Sequence, residues 1–296
     1  MPRFSEDTLK NWTKPASDTE EGKLSNSERM VREAIEQYSP LSGKSIEIFG
    51  QGSYANDTNV RLNSDIDINV RYQGAFYYTL PAGATKEEFG LNSPSSYSLE
   101  QFKSDIEKAL VSKFDRQSVV RKNKCITVLG NSFRVETDVV PTWNHRRYNK
   151  DGNYDLGARV SVDNGESVVN YPKQHIENGK LKNANTSRRF KRLTRIFRKL
   201  RYQMIDDGRY VNDSITSFLL ECLVWNVPNE ILNDVDTWQE RLKASIQYLH
   251  EQTSSEAKCG EWGEVSELLY LFRGSRKWTR EDVNSFLIDA WTYLEY

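Results

Sequence analysis

The chain has 296 residues, with 41 Lys and Arg against 42 Asp and Glu, a formal net charge of −1 and 28% charged residues. That balance argues against a broad nucleic-acid-binding surface, and no apolar run approaches the roughly 20 residues of a membrane span. Cys125, Cys222 and Cys259 show neither CxxC nor Cys/His ligand spacing. They read as reduced thiols; with no zinc ribbon and no basic-then-apolar leader pattern, the expected compartment is the cytoplasm.

In chain order, the first predicted element is a helix over 25–38, with Ser25 and Ser27 as caps and Met30, Ala34 and Tyr38 at helical spacing. Pro40 and Gly43 end it. Strands are predicted over 45–49 and 65–72, a turn-rich loop over 83–96, a helix over 99–114, and strands over 126–129 and 133–140, the last ended by Pro141. The stretch 142–184, dense in Gly, Asn and charge, reads as a connector lining a cleft. From residue 185 onward the periodicity is helical, with helices near 187–206, 213–226, 236–252, 261–273 and 280–295. These patterns give an α+β fold in two lobes: 1–184, with a mixed sheet, the N-terminal helix and the connector, and a helical 185–296, with the active site in the cleft between them.

Two motifs in the first lobe carry chemistry. Gly52-Ser53 lies in Phe49-Gly50-Gln51-Gly52-Ser53-Tyr54, and Asp65-Ile66-Asp67 follows after a polar stretch. Side chains alternate along a strand, so Asp65 and Asp67 share one face while Ile66, Ile68 and Val70 point into the fold. A carboxylate pair suits Mg²⁺, which takes a couple of carboxylates together with substrate phosphates and water. Gly52 lets backbone N–H groups approach phosphate oxygens, and Ser53 adds a hydroxyl donor. Asp138, on the later predicted strand and on one face with Glu136, supplies a third carboxylate, which in a two-metal in-line displacement can bind the metal that activates the hydroxyl. The combination describes a nucleotidyltransferase half-site.

In the helix over 187–206 the two faces separate. Phe190, Leu193, Phe197, Leu200 and Met204 form the apolar stripe, and Arg188, Arg192, Arg195 and Lys199 lie elsewhere. Such a basic face is either solvated surface or a phosphate-binding edge. His145 and His175 have no evident acid or base partner in sequence and read as structural.

The whole chain resembles the bacterial cGAS/DncV-like nucleotidyltransferases, the second-messenger synthases of anti-phage defence, and among them clade E. Three blocks carry the resemblance: Gln51-Gly52-Ser53-Tyr54 through Asp67; Val168-Val169-Asn170-Tyr171-Pro172-Lys173-Gln174-His175 with Glu177-Asn178-Gly179; and Ser217-Phe218-Leu219-Leu220-Glu221-Cys222-Leu223 with Asn226-Val227-Pro228. The first is common to the polymerase-β-like superfamily; the other two are more selective. The resemblance implies a polymerase-β-like lobe and two Mg²⁺ ions, replaceable by Mn²⁺, on Asp65, Asp67 and Asp138. It also implies phosphate contacts from Arg195 and Ser217, with Lys199 as a further candidate, and Phe218 stacking on a base. The implied reaction joins two NTPs by 3′–5′ phosphodiester bonds, releases pyrophosphate and closes a cyclic dinucleotide that a downstream effector recognises.

Asn at the position of Asn170 accompanies pyrimidine use in the resembled clade. An amide pairs with uracil O4 and N3–H at once, which points to UTP and ATP as substrates and to cyclic UMP–AMP or cyclic di-UMP as product. Asn170 is equally the residue to cap a turn before Pro172. A linear oligonucleotide or tRNA nucleotidyltransferase shares the carboxylates, and an inactive nucleotide-binding module shares the fold.

Overall fold

The computed structural model describes residues 2–15, 19–60, 65–91, 93–131, 134–163 and 165–296. Asn63, Ser64 and Phe133, which fall within the predicted strands and motifs, lie outside the described residues. The elements in chain order are α1 (Glu6–Trp12), α2 (Thr19–Glu36), β1 (Ile46–Gln51), α3 (Gly52–Ala55), β2 (Ile66–Thr79), α4 (Leu99–Phe114), β3 (Val119–Arg121), β4 (Ile126–Val128), β5 (Thr137–Tyr148), β6 (Tyr154–Ser161) and β7 (Ser167–Asn170). They continue with α5 (Pro172–Asn185), α6 (Arg189–Asp206), α7 (Ser217–Trp225), α8 (Asn229–Asn233), α9 (Trp238–Gln252), α10 (Glu256–Cys259) and α11 (Arg280–Tyr293).

Two compact units result. A sheet unit comprises Ser17–Ala55 and Leu62–Pro172; a helical unit comprises Met1–Ala16, Asn56–Arg61 and Lys173–Tyr296. The division after Pro172 precedes the expected 184/185 boundary because α5 packs with the helices. A β-carbon on its Gly179 would lie 3.8 Å from Phe190 and 3.9 Å from Val265, and Asn178 and Lys182 donate to the Val265 and Val227 carbonyls.

In the sheet unit the strands order as β1-β2-β5-β4-β3, with β6 added to β5 and β7 to β6. β2 and β5 run parallel and the remaining pairs are antiparallel. Ile66, Ile68 and Val70 are fully buried on one face of β2, in the same core as Phe102, Ile106 and Leu110 of α4. A capping box starts α4, with Gln101 N–H donating to Ser98 Oγ and Ser98 N–H to Gln101 Oε1.

Three expectations are corrected. Pro141 does not end its strand: β4 pairs with β5 as far as Val139 and β6 takes over from Thr142, so Pro141 falls where neither neighbour needs its missing N–H. The stretch 142–184 is the rest of β5, then β6, β7 and α5; the period-2 spacing of Leu156, Ala158 and Val160 was the missed strand signal. The helix over 261–273 is instead a turn-rich segment with an isolated bridge between Gly263 and Tyr270, bounded by Gly260 and Gly274. There Glu264 N–H bonds the Leu269 carbonyl and Leu271 N–H the Trp262 carbonyl.

The stripe Phe190, Leu193, Phe197, Leu200 and Met204 of α6 is buried in the helical core with Leu219, Leu220 and Leu223 of α7. No described helix is long and apolar enough to cross a membrane. All three cysteines are free and buried.

Candidate active site

The alternation Asp65-Ile66-Asp67-Ile68-Asn69-Val70 splits β2 into an apolar core face and a polar face. Asp65 sits just ahead of the strand and is exposed; Asp67 is half-buried within it. In the parallel β2–β5 ladder Asp67 is the register partner of Asp138, which puts both carboxylates on one sheet face about one strand spacing apart. Glu136 stays outside β5. The floor beside the carboxylates is a hydrogen-bonded row that sequence reading did not single out. Buried Asn69 donates Nδ2–H to Gln51 Oε1 at 3.0 Å and accepts from Thr142 Oγ1 at 2.7 Å.

Side chains on and just before β4 hold Asp138. Thr127, its cross-strand partner on β4, donates its hydroxyl to Oδ1 at 2.5 Å, and Lys122 Nζ lies 3.6 Å from the same oxygen. Burial, then the charge of Asp138, pushes the Cys125 thiol up to about 11, so it remains protonated.

β1 delivers Gly52 onto the carboxylate pair, since Gln51 is the last residue in register with β2 and faces Asp67. Gly52 has φ +69°, and a β-carbon there would overlap Asp67 Oδ2 and lie 3.0 Å from its carboxyl carbon. Only glycine satisfies both constraints. Ser53 follows in the single turn of α3.

The electrostatics match a bound cation. Burial, and then the charges of Asp138 and Asp65, raises the Asp67 carboxyl to about 7. Among the described residues no three His, Cys, Asp or Glu side chains gather closely enough to hold a metal on protein ligands alone. The donor set is hard oxygen at high negative charge density, which fits a divalent ion completed by substrate phosphates and water.

The residues expected from the second lobe lie in the helical unit, where the structure separates them. Arg195 is buried, with Nε donating to the Thr13 carbonyl at 2.6 Å and Nη1 to the Asp57 carbonyl at 2.5 Å, beside the Asp57 carboxylate at 3.4 Å. Two of the three guanidinium nitrogens of Arg195, Nε and Nη1, thus donate to main-chain carbonyls of the helical unit. Lys199, one turn further along α6, is half-buried and makes no ion pair or hydrogen bond among the described residues. Burial and the neighbouring Arg195 hold its pKa below the usual lysine value.

Tyr202, on the same side of α6 as Lys199, places its hydroxyl 3.4 Å from Ser217 Oγ at the start of α7. Phe218 is 38% exposed, its ring 5.7 Å from His175 and 6.0 Å from Trp278. Asn170 ends β7 opposite Ala158; it is exposed, and its carboxamide makes no hydrogen bond among the described residues.

His175 does have a partner, one that only the tertiary structure supplies: Nε2 lies 3.1 Å from Glu221 Oε1. His145 Nε2 lies 2.9 Å from Thr79 Oγ1.

The class is that of nucleotidyltransferases. The family model of the cGAS/DncV-like nucleotidyltransferase C-terminal helical domain matches residues 177–295. Over 296 residues, 100% of both proteins, the chain is 64% identical to the cyclic dipyrimidine nucleotide synthase CdnE of Cecembia lonarensis. The CdnE cyclic dinucleotide synthase of Elizabethkingia meningoseptica, solved with GTP and Apcpp, superposes with a TM-score of 0.83 at 34% identity, over 99% of this chain and 100% of that one. The c-UMP-AMP synthase CdnE of Rhodothermus marinus, solved with Apcpp and Upnpp, gives a TM-score of 0.85 at 28% identity, over 98% and 97%. The chain belongs to the CdnE-type cGAS/DncV-like nucleotidyltransferases.

Proposed function

We propose that this protein joins two nucleoside triphosphates into a uridine-containing cyclic dinucleotide, cyclic di-UMP or cyclic UMP–AMP. The observation that carries the reading is its 64% full-length identity to a cyclic dipyrimidine nucleotide synthase. The c-UMP-AMP synthase of Rhodothermus marinus keeps ATP beside UTP as a candidate substrate.

In this reading a 3′-hydroxyl attacks the α-phosphorus of the second nucleotide; the new O–P bond forms as the bond to pyrophosphate breaks, and the hydroxyl proton leaves towards the Asp138 side. Asp65, Asp67 and Asp138 would hold Mg²⁺ or Mn²⁺, which supplies Lewis-acid polarisation of the phosphate and lowers the pKa of the attacking hydroxyl. Gly52 and Ser53 hold phosphate oxygens, Thr127 orients Asp138, and Asn170 reads uracil with its unbonded carboxamide. In the helical unit Lys199 and Ser217 are assigned to phosphates, Lys199 in place of Arg195, and Phe218 to stacking. A second turnover within the same site closes the ring.

The test is incubation of the purified protein with all four NTPs and Mg²⁺ or Mn²⁺, followed by mass spectrometry of phosphatase-resistant products. Cyclic dinucleotide containing uridine is expected, and none from the folded Asp65→Asn/Asp67→Asn double variant. Linear or RNA-linked products, or product from the double variant, would overturn the reading.

A further inference from the structure

The turn between β3 and β4, residues 122–125, reads Lys-Asn-Lys-Cys and lies wholly within the sheet unit. Lys122 N–H donates to the Cys125 carbonyl at 2.9 Å and closes the hairpin. From α4, buried Lys103 directs its Nζ to the Lys122 carbonyl at 3.3 Å, the Asn123 carbonyl at 2.7 Å and Asp163 Oδ1 at 2.7 Å. Asp163 N–H in turn donates to Asn123 Oδ1 at 2.8 Å. A buried ammonium is costly unless its three donors are met, and this turn meets two of them with main-chain oxygen. The backbone of Lys122 is thereby fixed.

The fixed turn carries the Lys122 side chain to the acidic pair. Its Nζ lies 3.6 Å from Asp138 Oδ1 and 4.0 Å from Glu136 Oε1. The same Oδ1 accepts from Thr127, so one oxygen of Asp138 faces both a hydroxyl and a positive charge. The Lys122 side chain is 46% exposed, and an ion pair in that setting adds little stability. On a divalent ion the same ammonium acts with doubled strength and opposite sign.

We infer that Lys122 is a resident counter-ion of Asp138 whose charge weakens the hold of the nucleotide-free protein on a divalent cation. The cation then depends on nucleotide phosphates for tight binding. This inference rests on the metal role proposed for Asp65, Asp67 and Asp138. Lys122 itself forms and breaks no bond in the reaction.

Mn²⁺ titration of the nucleotide-free protein, followed by the paramagnetic resonance signal of free Mn²⁺, measures the effect without turnover. An Asp67→Asn/Asp138→Asn variant sets the background from other carboxylates. In Lys122→Gln the dissociation constant should fall about three- to tenfold, as expected for a single and a double charge a few ångströms apart in a partly screened site. Lys122→Arg keeps the charge and should stay within about twofold of wild type.

Unchanged or weaker Mn²⁺ binding in Lys122→Gln would overturn the inference alone, as would equal tightening in Lys122→Arg. Binding no stronger than background in wild type and both Lys122 variants would overturn the metal assignment together with the inference. If wild type makes no dinucleotide from NTPs while Lys122→Gln tightens Mn²⁺ binding, the proposed function fails and the counter-ion stands.

Discussion

Gly52 has no space for a β-carbon because the carboxylate of Asp67 occupies it, and its φ of +69° disfavours any other residue independently. The Gly52–Ser53 turn and Asp67 are therefore packed as one, although they are separated in sequence.

Gly52→Ala should lower stability by about 1–3 kcal/mol, from backbone strain and the clash with Asp67, and reduce synthesis by roughly two orders of magnitude. Adding Asp67→Ala relieves the clash, so the double variant should regain part of the melting temperature and none of the turnover. Paired melting curves and rate assays check this. A Gly52→Ala protein with wild-type values in both would contradict the described packing.

The cations of α6 are expected to divide by role. Arg195→Ala strips donors from the Thr13 and Asp57 carbonyls and should cost about 2–4 kcal/mol in urea unfolding. Lys199→Ala should leave stability within about 0.5 kcal/mol and raise the KM for NTP about tenfold, and Ser217→Ala should act the same way more weakly. Reversed phenotypes would return Arg195 to the phosphates.

The Asn170 carboxamide is exposed and makes no hydrogen bond among the described residues, so Asn170→Ser should not change the melting temperature. It should move the product mixture several-fold towards purines, because one or two hydrogen bonds are worth roughly 0.5–1.5 kcal/mol each. Mass spectrometry of products from equimolar NTPs measures the shift. An unchanged spectrum from an active variant removes Asn170 from base selection.

His145 gives the folded sheet unit a defined acid sensitivity. Burial, reinforced by Arg159, lowers its pKa from 6.5 to about 4, while the unfolded chain takes up the proton near the ordinary value. The neutral ring thus contributes stability that is complete above pH 6.5 and is lost as pH falls towards 4, by about 2–3 kcal/mol. Urea unfolding at pH 7 and pH 4.5 should show a smaller loss for His145→Gln than for wild type; equal losses would exclude this source.

Local pattern was enough for the parts whose geometry is periodic. The Asp-Ile-Asp-Ile alternation assigned the core and polar faces of β2, the apolar spacing assigned the buried stripe of α6, and the bounds of α4 coincide with the predicted 99–114. Gly52, Ser53 and the three aspartates stand out in the sequence because their residue types and order suit hard-oxygen and phosphate chemistry, and the fold sets Gly52 against Asp67 and Asp67 in register with Asp138. Partners distant in sequence were not. Whether Arg195 faces a ligand or a carbonyl depends on where 56–59 passes, and that is decided by buried Glu221 and Arg198. His175 gained its acidic partner, Asp138 its Thr127 and Pro141 its place inside a strand only once the chain had folded. Side-chain period is a property of one segment, whereas satisfying a buried charge or a missing N–H is a property of whatever the fold packs against it.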